Sequence, residues 1–555
     1  MHETNWQSQS WLLAPFALLA MLLPWAFASP VGSSADENYH LTYIWCIAGD
    51  SPHCTQTLSD DGQRILNVTV PATVGEMPCF IGNSFQDAQC AFEGLPEGTY
   101  ESTRFADDGK YPPIFYYVMN VLVEDDVERS VIQMRMLNAL IAGLMLTLAI
   151  WVATPRVRAA IGIAWTVGLV PFGLFYIPSV NPNGWAIIGS ATFWVFLITL
   201  MNRPIQSIAM RITVIAGLAL SAALAIARAD QVWVLSLSFV AVLFVSKRWR
   251  AHKWLIVTSL SVVVAVGVLF ARQFNVGTYL RYFDFVWPVG NSQTDQPNPL
   301  AKVLIEFPYF LAGHLGAQQP WSQRDSVINS GIEGWTNTAY LYGLGSPDIT
   351  MPSIVGLVGT VLLGAITFLA LARTNRMRIA APLILLFGIL IQVLAMRALG
   401  AWGGDGTVGF AWFVYPRYTV PAFMVLLAML VLARTTRGPA FNRKQRAVAA
   451  ATLTVSATVS LMAVMSRYMY GQDHSWLQFE THRGWWWNFG PDPLAVIALA
   501  ALAAVVYFTV MLSLGTRQGP LASNQTPTNR DSNECAEDNN DQNLPTQTSR
   551  PSTQP

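Results

Sequence analysis

An acidic pair stands directly after the first long apolar run of the chain. Residues 11–29 are mostly apolar, and Asp36, Glu37 and His40 follow in the string Ala-Asp-Glu-Asn-Tyr-His. A carboxylate near the end of a membrane helix lies at the membrane surface, where it can meet the polar head of a lipid-linked molecule. Such a carboxylate can take the proton of an attacking hydroxyl, which accelerates a transfer by about 10²- to 10⁴-fold. Asp36 is the first candidate for this base and Glu37 the second.

Structural roles compete with chemistry at these positions. Asp is a frequent N-cap residue, so one member of the pair can begin a helix in the loop. His40 lies one helical turn after Asp36, and in a helix the two would share a face, where they could hold a divalent cation. One histidine with one or two carboxylates is an incomplete metal site. Packing is therefore the favoured role for His40, and contact with a substrate is its functional alternative.

The composition is that of a polytopic membrane protein. Hydrophobic residues make up 53% of the chain, charged residues only 12%, and the mean hydropathy is +0.37, whereas soluble domains carry about 25% charged residues. Apolar windows of roughly 17–25 residues, long enough to cross a bilayer, recur along the chain. An all-α fold of about twelve transmembrane helices follows. The predicted spans are 11–29, 131–153, 158–177, 185–201, 212–227, 231–246, 254–271, 352–371, 379–396, 419–433, 447–465 and 493–514.

The basic residues predict the orientation of these spans. Alternate loops hold most of the Arg and Lys residues, and the short loops between them hold far fewer. Because cytoplasmic loops carry the excess of positive charge, both termini are predicted to be cytoplasmic. The formal net charge of zero hides this asymmetry, and it gives no indication of nucleic-acid binding.

Four regions follow from the pattern of spans. Residues 1–29 form an N-terminal anchor helix; a cleaved signal peptide is the alternative, but no compact basic segment precedes the apolar run. Residues 30–130 form a large extracytoplasmic loop, and residues 131–515 a multi-helix membrane domain. Residues 516–555 are rich in Asn, Gln, Thr, Ser and Pro. Such a segment cannot bury enough apolar surface to fold, so a disordered cytoplasmic tail is expected.

Four of the five cysteines lie in the large loop. An even number of cysteines in one exported segment predicts two disulfides. Cys46–Cys54 and Cys79–Cys90 is the preferred pairing because both closed loops are short, and two other pairings remain open. Cys535 in the tail is expected to be a free thiol.

Four stretches together resemble a known family. Asp36 to His40 resembles the Asp-Glu-x-x-His motif of a large bacterial family of multi-spanning membrane proteins, catalogued as domain of unknown function 2142 and grouped with the GT-C glycosyltransferases. Tyr111 to Tyr117 (Tyr-Pro-Pro-Ile-Phe-Tyr-Tyr), Val180 to Gly184 (Val-Asn-Pro-Asn-Gly) and Tyr415 to Pro421 (Tyr-Pro-Arg-Tyr-Thr-Val-Pro) match in the same order. The last departs from the family's Gly-Arg-Tyr-x-x-Pro at Pro416. The resemblance covers about residues 10–515.

The resemblance implies a GT-C-like fold in the bacterial plasma membrane. It also implies a glycosyltransferase that takes a sugar from a polyprenyl-phosphate donor on the outer face. The acceptor would be a glycan, lipid or protein of the cell envelope, and membrane lipid is a further expected partner. In such proteins a carboxylate of the first outer loop is the catalytic base or a metal ligand, a role that falls here on Asp36. Mg²⁺ or Mn²⁺ is the candidate cofactor.

Arg417 is the candidate contact for the donor phosphate. A guanidinium beside Tyr418 at the outer end of a span can form two hydrogen bonds to a phosphate. The alternative is an interfacial arginine that only extends its charge to water. Asp405 in the glycine-rich string Trp-Gly-Gly-Asp-Gly of the same loop could add a metal ligand, although a plain turn is favoured there.

The two remaining motifs supply weaker candidates for substrate contacts. Tyr111 and Tyr117 flank a segment that suits a rigid junction or a wall that stacks on a sugar, and packing is favoured. Asn181 and Asn183 lie in a short outer loop predicted to face the same cavity as Asp36.

A secondary transporter or flippase of envelope lipid or glycan precursors is the alternative function, because twelve spans are common among transporters. Transporters usually bind substrate near the midplane, between repeated halves and with ionisable groups inside the spans. Here the spans are nearly free of charge and no repeat is apparent, which favours an enzyme. A scaffold of envelope assembly that keeps the fold without activity is the third alternative.

Overall fold

The computed structural model describes residues 3–60, 65–81, 83–91, 98–105, 111–202, 207–246, 299–317, 343–345, 348–400, 415–435, 441–472, 475–477 and 485–515. Three sequence predictions lie outside these ranges: the span at 254–271, the role of Asp405, and the disordered tail 516–555 with Cys535.

The first part of the chain combines short helices with a small sheet. Its elements are α1 (Glu3–Phe27), α2 (Glu37–Cys46), β1 (Thr55–Leu58), β2 (Ile65–Pro71), α3 (Ala72–Gly75), β3 (Thr99–Ser102) and α4 (Ile114–Asn120). The strands pair antiparallel in the order β1-β2-β3. Val68 and Val70 of β2 are buried and alternate with partly exposed residues, the period of a strand with one packed face. The protein is thus mostly helical, and the expectation of an all-α fold missed this sheet.

Two disulfides close short loops in this region. Cys46 at the end of α2 pairs with Cys54 just before β1, with 5.3 Å between their Cα atoms. Cys79 pairs with Cys90 across 6.2 Å. This is the pairing that loop length favoured.

Most of the remaining described chain is helical. The helices are α5 (Val127–Val152), α6 (Pro155–Val167), α7 (Phe172–Tyr176), α8 (Pro182–Asn202), α9 (Ile208–Ala225), α10 (Gln231–Val245), α11 (Pro299–Gly313), α12 (Ser353–Leu371), α13 (Ala380–Gly400), α14 (Val420–Ala433), α15 (Arg443–Tyr470) and α16 (Pro493–Ser513).

Within the described ranges, six helices are long and apolar enough to cross a membrane: α5, α8, α9, α12, α15 and α16. Shorter apolar helices are Trp11–Phe27 in α1, α10, Ala380–Ala395 in α13, and α14. The chain is therefore a membrane protein with several apolar helices. The prediction of a single span at 158–177 differs from the structure, since α6 ends at Val167 and α7 begins at Phe172. Pro171 between them has no N–H to continue a helix.

Helix α8 lies at the centre of the bundle, against α5, α9, α10 and α14. Gly189 of α8 allows the closest of these approaches. A Cβ atom there would lie 2.3 Å from the backbone nitrogen of Ala225 and 2.4 Å from the carbonyl oxygen of Ser221. Small residues permit such close packing of helix backbones, and this packing holds the start of α8 beside the end of α9.

The end of α15 holds the loop closed by the Cys79–Cys90 disulfide. Buried Arg467 donates to the carbonyl oxygens of Gln86 (2.8 Å) and Phe80 (3.1 Å). Its Nε atom also donates to Asp348 at 2.9 Å. One arginine thus joins three distant parts of the chain at the same end of the bundle.

Candidate functional site

Arg135 of α5 fixes the segment that leads from α1 to α2. This arginine is 1% exposed, and its guanidinium donates to the carbonyl oxygens of Ala26 (2.9 Å), Ser29 (2.7 Å) and Pro30 (2.9 Å). It also pairs with Glu37, at 3.2 Å from Oε1. The segment before the acidic pair is therefore tied to a membrane helix.

Glu37 is fully buried, and its carboxylate is occupied by partners. Besides Arg135, it accepts hydrogen bonds from the backbone N–H groups of Ser34 (3.1 Å) and Val180 (3.2 Å). A buried carboxylate held in this way joins the first loop to the connection before α8. The geometry favours anchoring over catalysis for Glu37.

Asp36 has an unusual backbone conformation. Its φ of 63° lies in the left-handed region, and it is the one non-glycine residue with positive φ in the part of the chain that the structure describes. Asp and Asn tolerate this region best, at a cost of roughly 1 kcal/mol or more. Asp36 precedes α2, but its side chain makes no capping hydrogen bond. The carboxylate is therefore available to groups outside the helix.

Two arginines from distant positions contact the Asp36 carboxylate. Arg104 Nη2 donates to Oδ1 at 3.0 Å, and Arg417 Nη2 donates to Oδ2 at 3.0 Å. The Asp36 side chain keeps 38% of its surface exposed. An accessible carboxylate therefore lies between two positive charges.

Arg417 is held rigidly beside it. It lies in the 3₁₀ turn Pro416–Tyr418 before α14 and is 6% exposed. Its guanidinium lies over the rings of Tyr415 (5.2 Å) and Tyr418 (4.9 Å), and Nη2 donates to the Tyr418 hydroxyl at 2.8 Å. Its Nε has no hydrogen-bond partner among the described residues. The two rings and the hydrogen bond fix the direction of this cation.

The turn that carries Arg417 is itself anchored from two helices. His314, just after α11, lies with Nε2 2.7 Å from the Thr419 hydroxyl and stacks on Phe423 at 4.6 Å. Gln392 of α13 donates to the Tyr418 carbonyl oxygen at 3.3 Å. Both contacts come from segments far from the turn in sequence, so tertiary packing sets its position.

The Val-Asn-Pro-Asn-Gly motif supports the site from behind. Asn181 donates to the carbonyl oxygen of Ala35 at 2.8 Å, directly before Asp36. Asn183 donates to Asn181 at 2.7 Å and accepts from Arg228 at 2.7 Å. Both asparagines are buried. They hold the strained Asp36 backbone and orient a third arginine.

Arg228 is that third cation. Its Nε pairs with Asp230 at 2.9 Å, and its guanidinium lies over the rings of Tyr418 (4.7 Å) and Tyr111 (6.0 Å). Burial opposes the charge of Arg228, but Asp230 and the tyrosines outweigh burial and raise its pKa. Arg228 is thus a permanent cation in the same cluster as Arg417.

The other two predicted residues, His40 and Tyr117, lie in different surroundings. His40 is 1% exposed, with Nδ1 2.9 Å from the Tyr116 hydroxyl and its ring 5.0 Å from that of Tyr111. Burial, only partly offset by Asp36, lowers the pKa of His40 to about 3, so the imidazole is neutral near pH 7. Tyr117 is 53% exposed on another face of α4, and the structure does not bring it into this cluster.

The charges around Asp36 keep it ionised. Burial raises the pKa of its carboxyl, but the positive charges of Arg417 and Arg104 lower it, so that the pKa lies below its ordinary value. Burial likewise opposes the charge of Arg417, whereas Tyr418, Tyr176 and Asp36 raise its pKa. The resting site is a carboxylate surrounded by guanidinium groups, an arrangement with spare positive charge.

The described donors do not suit a divalent metal. No group of three His, Cys, Asp or Glu side chains within metal-binding reach occurs in the described ranges. Both oxygens of Asp36 accept hydrogen bonds from arginines, and a cation bound there would face two positive charges. The surplus charge suits an anion instead.

Sequence reasoning did not single out Arg104 or Arg228 as site residues. Arg104 follows β3 and Arg228 follows α9. In the sequence, these two basic residues contributed only to the predicted orientation of the spans. The signal for Arg228 was a lone arginine beside Asp230 in a short loop between two apolar helices. Nothing in the sequence around Arg104 indicated its approach to Asp36.

An apolar groove of about 540 Å³ lies elsewhere, between α1 and α16. It is lined by side chains such as Phe16, Leu23, Phe27, Leu499 and Val506, and none of the described residues that line it is ionisable. It can hold hydrocarbon, but it offers no group for acid–base chemistry.

Comparison with known proteins gives one match. No curated protein and no solved structure matches the chain. The family model described as "Predicted membrane protein (DUF2142)" matches residues 19–426, a range that contains Asp36, Arg104, Asn181, Arg228 and Arg417. The chain therefore belongs to the DUF2142 family of predicted membrane proteins.

Proposed function

We propose that this protein is a membrane glycosyltransferase that moves a sugar from a polyprenyl-phosphate donor to an acceptor hydroxyl on a cell-envelope glycan, lipid or protein. The active site would face the outer side of a bacterial plasma membrane. The observation that carries the proposal is the accessible Asp36 carboxylate held between Arg104 and Arg417. A carboxylate next to fixed cations provides both a proton acceptor and a binding site for a phosphate.

The reaction assigns a separate task to each group. The acceptor oxygen attacks the anomeric carbon of the sugar while the bond from that carbon to the phosphate oxygen breaks. The acceptor proton passes to the Asp36 carboxylate, and the electron pair of the broken bond leaves with the phosphate. Arg417 and Arg228 stabilise the negative charge that develops there, as preorganised cations do in transfer reactions. Asp36 then returns its proton to water.

The lowered pKa of Asp36 changes when a donor binds. In the resting site Arg417 and Arg104 hold that pKa down, which makes the carboxylate a weak base. A bound phosphate partly neutralises these cations and so raises the pKa of Asp36. The base thus becomes stronger when the donor is in place, which limits proton uptake in its absence.

The test is sugar transfer by purified protein in lipid, with a panel of polyprenyl-phosphate sugars and Asp36→Asn beside the wild type. We expect transfer by the wild type and loss in the folded variant. Equal transfer by both would remove Asp36 from the base role and move that role to Glu37 or elsewhere. Chelation tests whether Mg²⁺ or Mn²⁺ takes part: unchanged turnover in chelator would agree with the poor fit of the described donors to a divalent metal, and loss of turnover would contradict it. If no donor is used and the protein moves lipid between leaflets, the flippase alternative replaces the enzyme.

A further inference from the structure

The three arginines near Asp36 differ in their accessibility. The side chain of Arg104 is 48% exposed, whereas those of Arg417 and Arg228 are 7% and 10% exposed. All three lie close enough to His40 to help lower the pKa of its imidazole. Arg104 is thus the most accessible of the three to a ligand that arrives from solvent.

The arginines also differ in what holds them. Arg417 lies over two tyrosine rings and donates to the Tyr418 hydroxyl, and Arg228 is bound by Asp230 and Asn183. Neither can move without losing buried contacts. They form a fixed part of the site.

The guanidinium of Arg104 contacts the Asp36 carboxylate and lies 5.7 Å from the centre of the Tyr39 ring. Its backbone is fixed, because its N–H donates to the Ser102 hydroxyl at the end of β3. The side chain can therefore change partner while the backbone stays in place.

A base must offer a free lone pair to the proton that it accepts. In the structure each oxygen of Asp36 already accepts a hydrogen bond from an arginine. This occupies one of the two lone pairs on each oxygen and leaves less room for an acceptor hydroxyl. An exposed ion pair contributes little free energy, so the contact between Arg104 and Asp36 is a weaker restraint than the buried contacts of Arg417. A phosphate oxygen beside Arg104 would therefore compete with Asp36 for the Arg104 guanidinium.

We propose that Arg104 exchanges partners when the donor binds: it pairs with Asp36 Oδ1 in the unliganded protein and moves to the phosphate of the lipid-linked donor. This inference rests on the proposed function and adds a binding residue to it. The exchange places a third cation on the phosphate. It also frees Oδ1 of Asp36 for the acceptor hydroxyl, so that binding of the donor prepares the base.

Binding of polyprenyl phosphate, the lipid product of the reaction, tests the exchange without any need for turnover. The protein in nanodiscs is titrated with polyprenyl phosphate, with polyprenol of equal length, and with inorganic phosphate. The variants are Arg104→Gln, Asp36→Asn and the double variant. Arg129→Gln, which removes an exposed arginine at the start of α5, is the matched control.

We expect Arg104→Gln to weaken binding of polyprenyl phosphate about 10-fold or more, the effect of losing a hydrogen bond to a charged group. Binding of polyprenol and the affinity of Arg129→Gln should stay at wild-type values. Asp36→Asn should tighten binding because Arg104 no longer has to leave a carboxylate. The increase in affinity caused by Asp36→Asn should be smaller when Arg104 is also replaced by Gln.

Three results would overturn the exchange. The first is an unchanged affinity in Arg104→Gln, and the second is an equal effect of Asp36→Asn with and without Arg104. The third is Arg104-dependent binding of inorganic phosphate as tight as that of the lipid. If the wild type does not bind polyprenyl phosphate at all, the donor class of the proposed function fails too. If the wild type and Arg104→Gln bind polyprenyl phosphate equally well, only the exchange is contradicted and the donor class of the proposed function stands.

Discussion

Asp36 and Arg417 lie 381 residues apart in the chain, yet Arg417 Nη2 donates to Asp36 Oδ2 at 3.0 Å. One residue ends the first loop segment in a left-handed conformation, and the other opens α14 from a 3₁₀ turn. Each is supported separately, Asp36 through Asn181 and Glu37, and Arg417 through its neighbouring tyrosines. The two halves of the family's motif pattern therefore meet at one ion pair.

Asp36→Asn should lower sugar transfer by about 10²- to 10⁴-fold, the usual contribution of a general base. Asn suits the left-handed backbone as well as Asp does, so the fold should persist. The measurement is the initial rate of transfer together with the thermal unfolding midpoint. A variant that keeps both its midpoint and its rate would refute the role of Asp36.

Glu37→Gln should destabilise the protein by about 3–5 kcal/mol, because it leaves the buried Arg135 without its charge partner. The measurement is the free energy of unfolding in detergent. Asp125→Asn, which changes a fully exposed carboxylate, is the control and should have little effect. If Glu37→Gln were as stable as this control, the anchoring role of Glu37 would be wrong.

His40 should make the protein sensitive to acid. The unfolded chain binds a proton at His40 below about pH 6.5, whereas the folded protein does so only near its pKa of about 3. The unfolded state thus binds more protons in this window. Stability should fall by roughly 1.4 kcal/mol per pH unit as the pH drops below 6.5. The unfolding midpoint of His40→Gln should depend less on pH than that of the wild type.

The control for this prediction is His53→Gln, since His53 is partly exposed near Asp125. This variant is measured over the same pH range as the wild type and His40→Gln. Identical acid sensitivity in wild type and His40→Gln would show that other groups cause the effect.

Removal of the second disulfide by Cys79→Ser with Cys90→Ser should cost roughly 2–3 kcal/mol, as expected for a short closed loop. The loss should be transmitted to α15, because Arg467 donates to carbonyl oxygens inside that loop. The free energy of unfolding measures the loss, and hydrogen exchange at the end of α15 measures its spread. In the wild type, maleimide should label the four loop cysteines only after reduction; labelling without reductant would contradict both bonds.

The predicted orientation can be tested with single cysteines in a Cys535→Ser background. Thr99→Cys on exposed β3 should react with a membrane-impermeant maleimide in intact cells. Lys444→Cys at the start of α15 should react only after the cells are opened. The reverse pattern would place Asp36 and its arginines on the cytoplasmic side, and the donor would then have to be reached from there.

The sequence alone determined that the chain is a membrane protein and pointed to the motifs that form its candidate site. Long apolar runs with few charges can be stable only in a bilayer, so the membrane helices follow from composition. The motifs around Asp36, Asn181 and Arg417 were found because each lies at the end of an apolar run. For the cysteines, the short closed loops favoured the pairing that the structure shows, while two other pairings stayed open until then.

Only the tertiary structure decided which of these residues work together. Asp36 and Glu37 are neighbours in sequence but lie in different surroundings. Glu37 is buried and pairs with Arg135, whereas Asp36 is accessible and lies between Arg104 and Arg417. No local pattern distinguishes the two carboxylates. The difference arises from the left-handed backbone of Asp36 and from arginines that lie 98 and 381 positions away in the chain. The contact of Arg104 with Asp36 has the same origin, since the three-stranded sheet and the disulfides bring the end of β3 back to the start of α2.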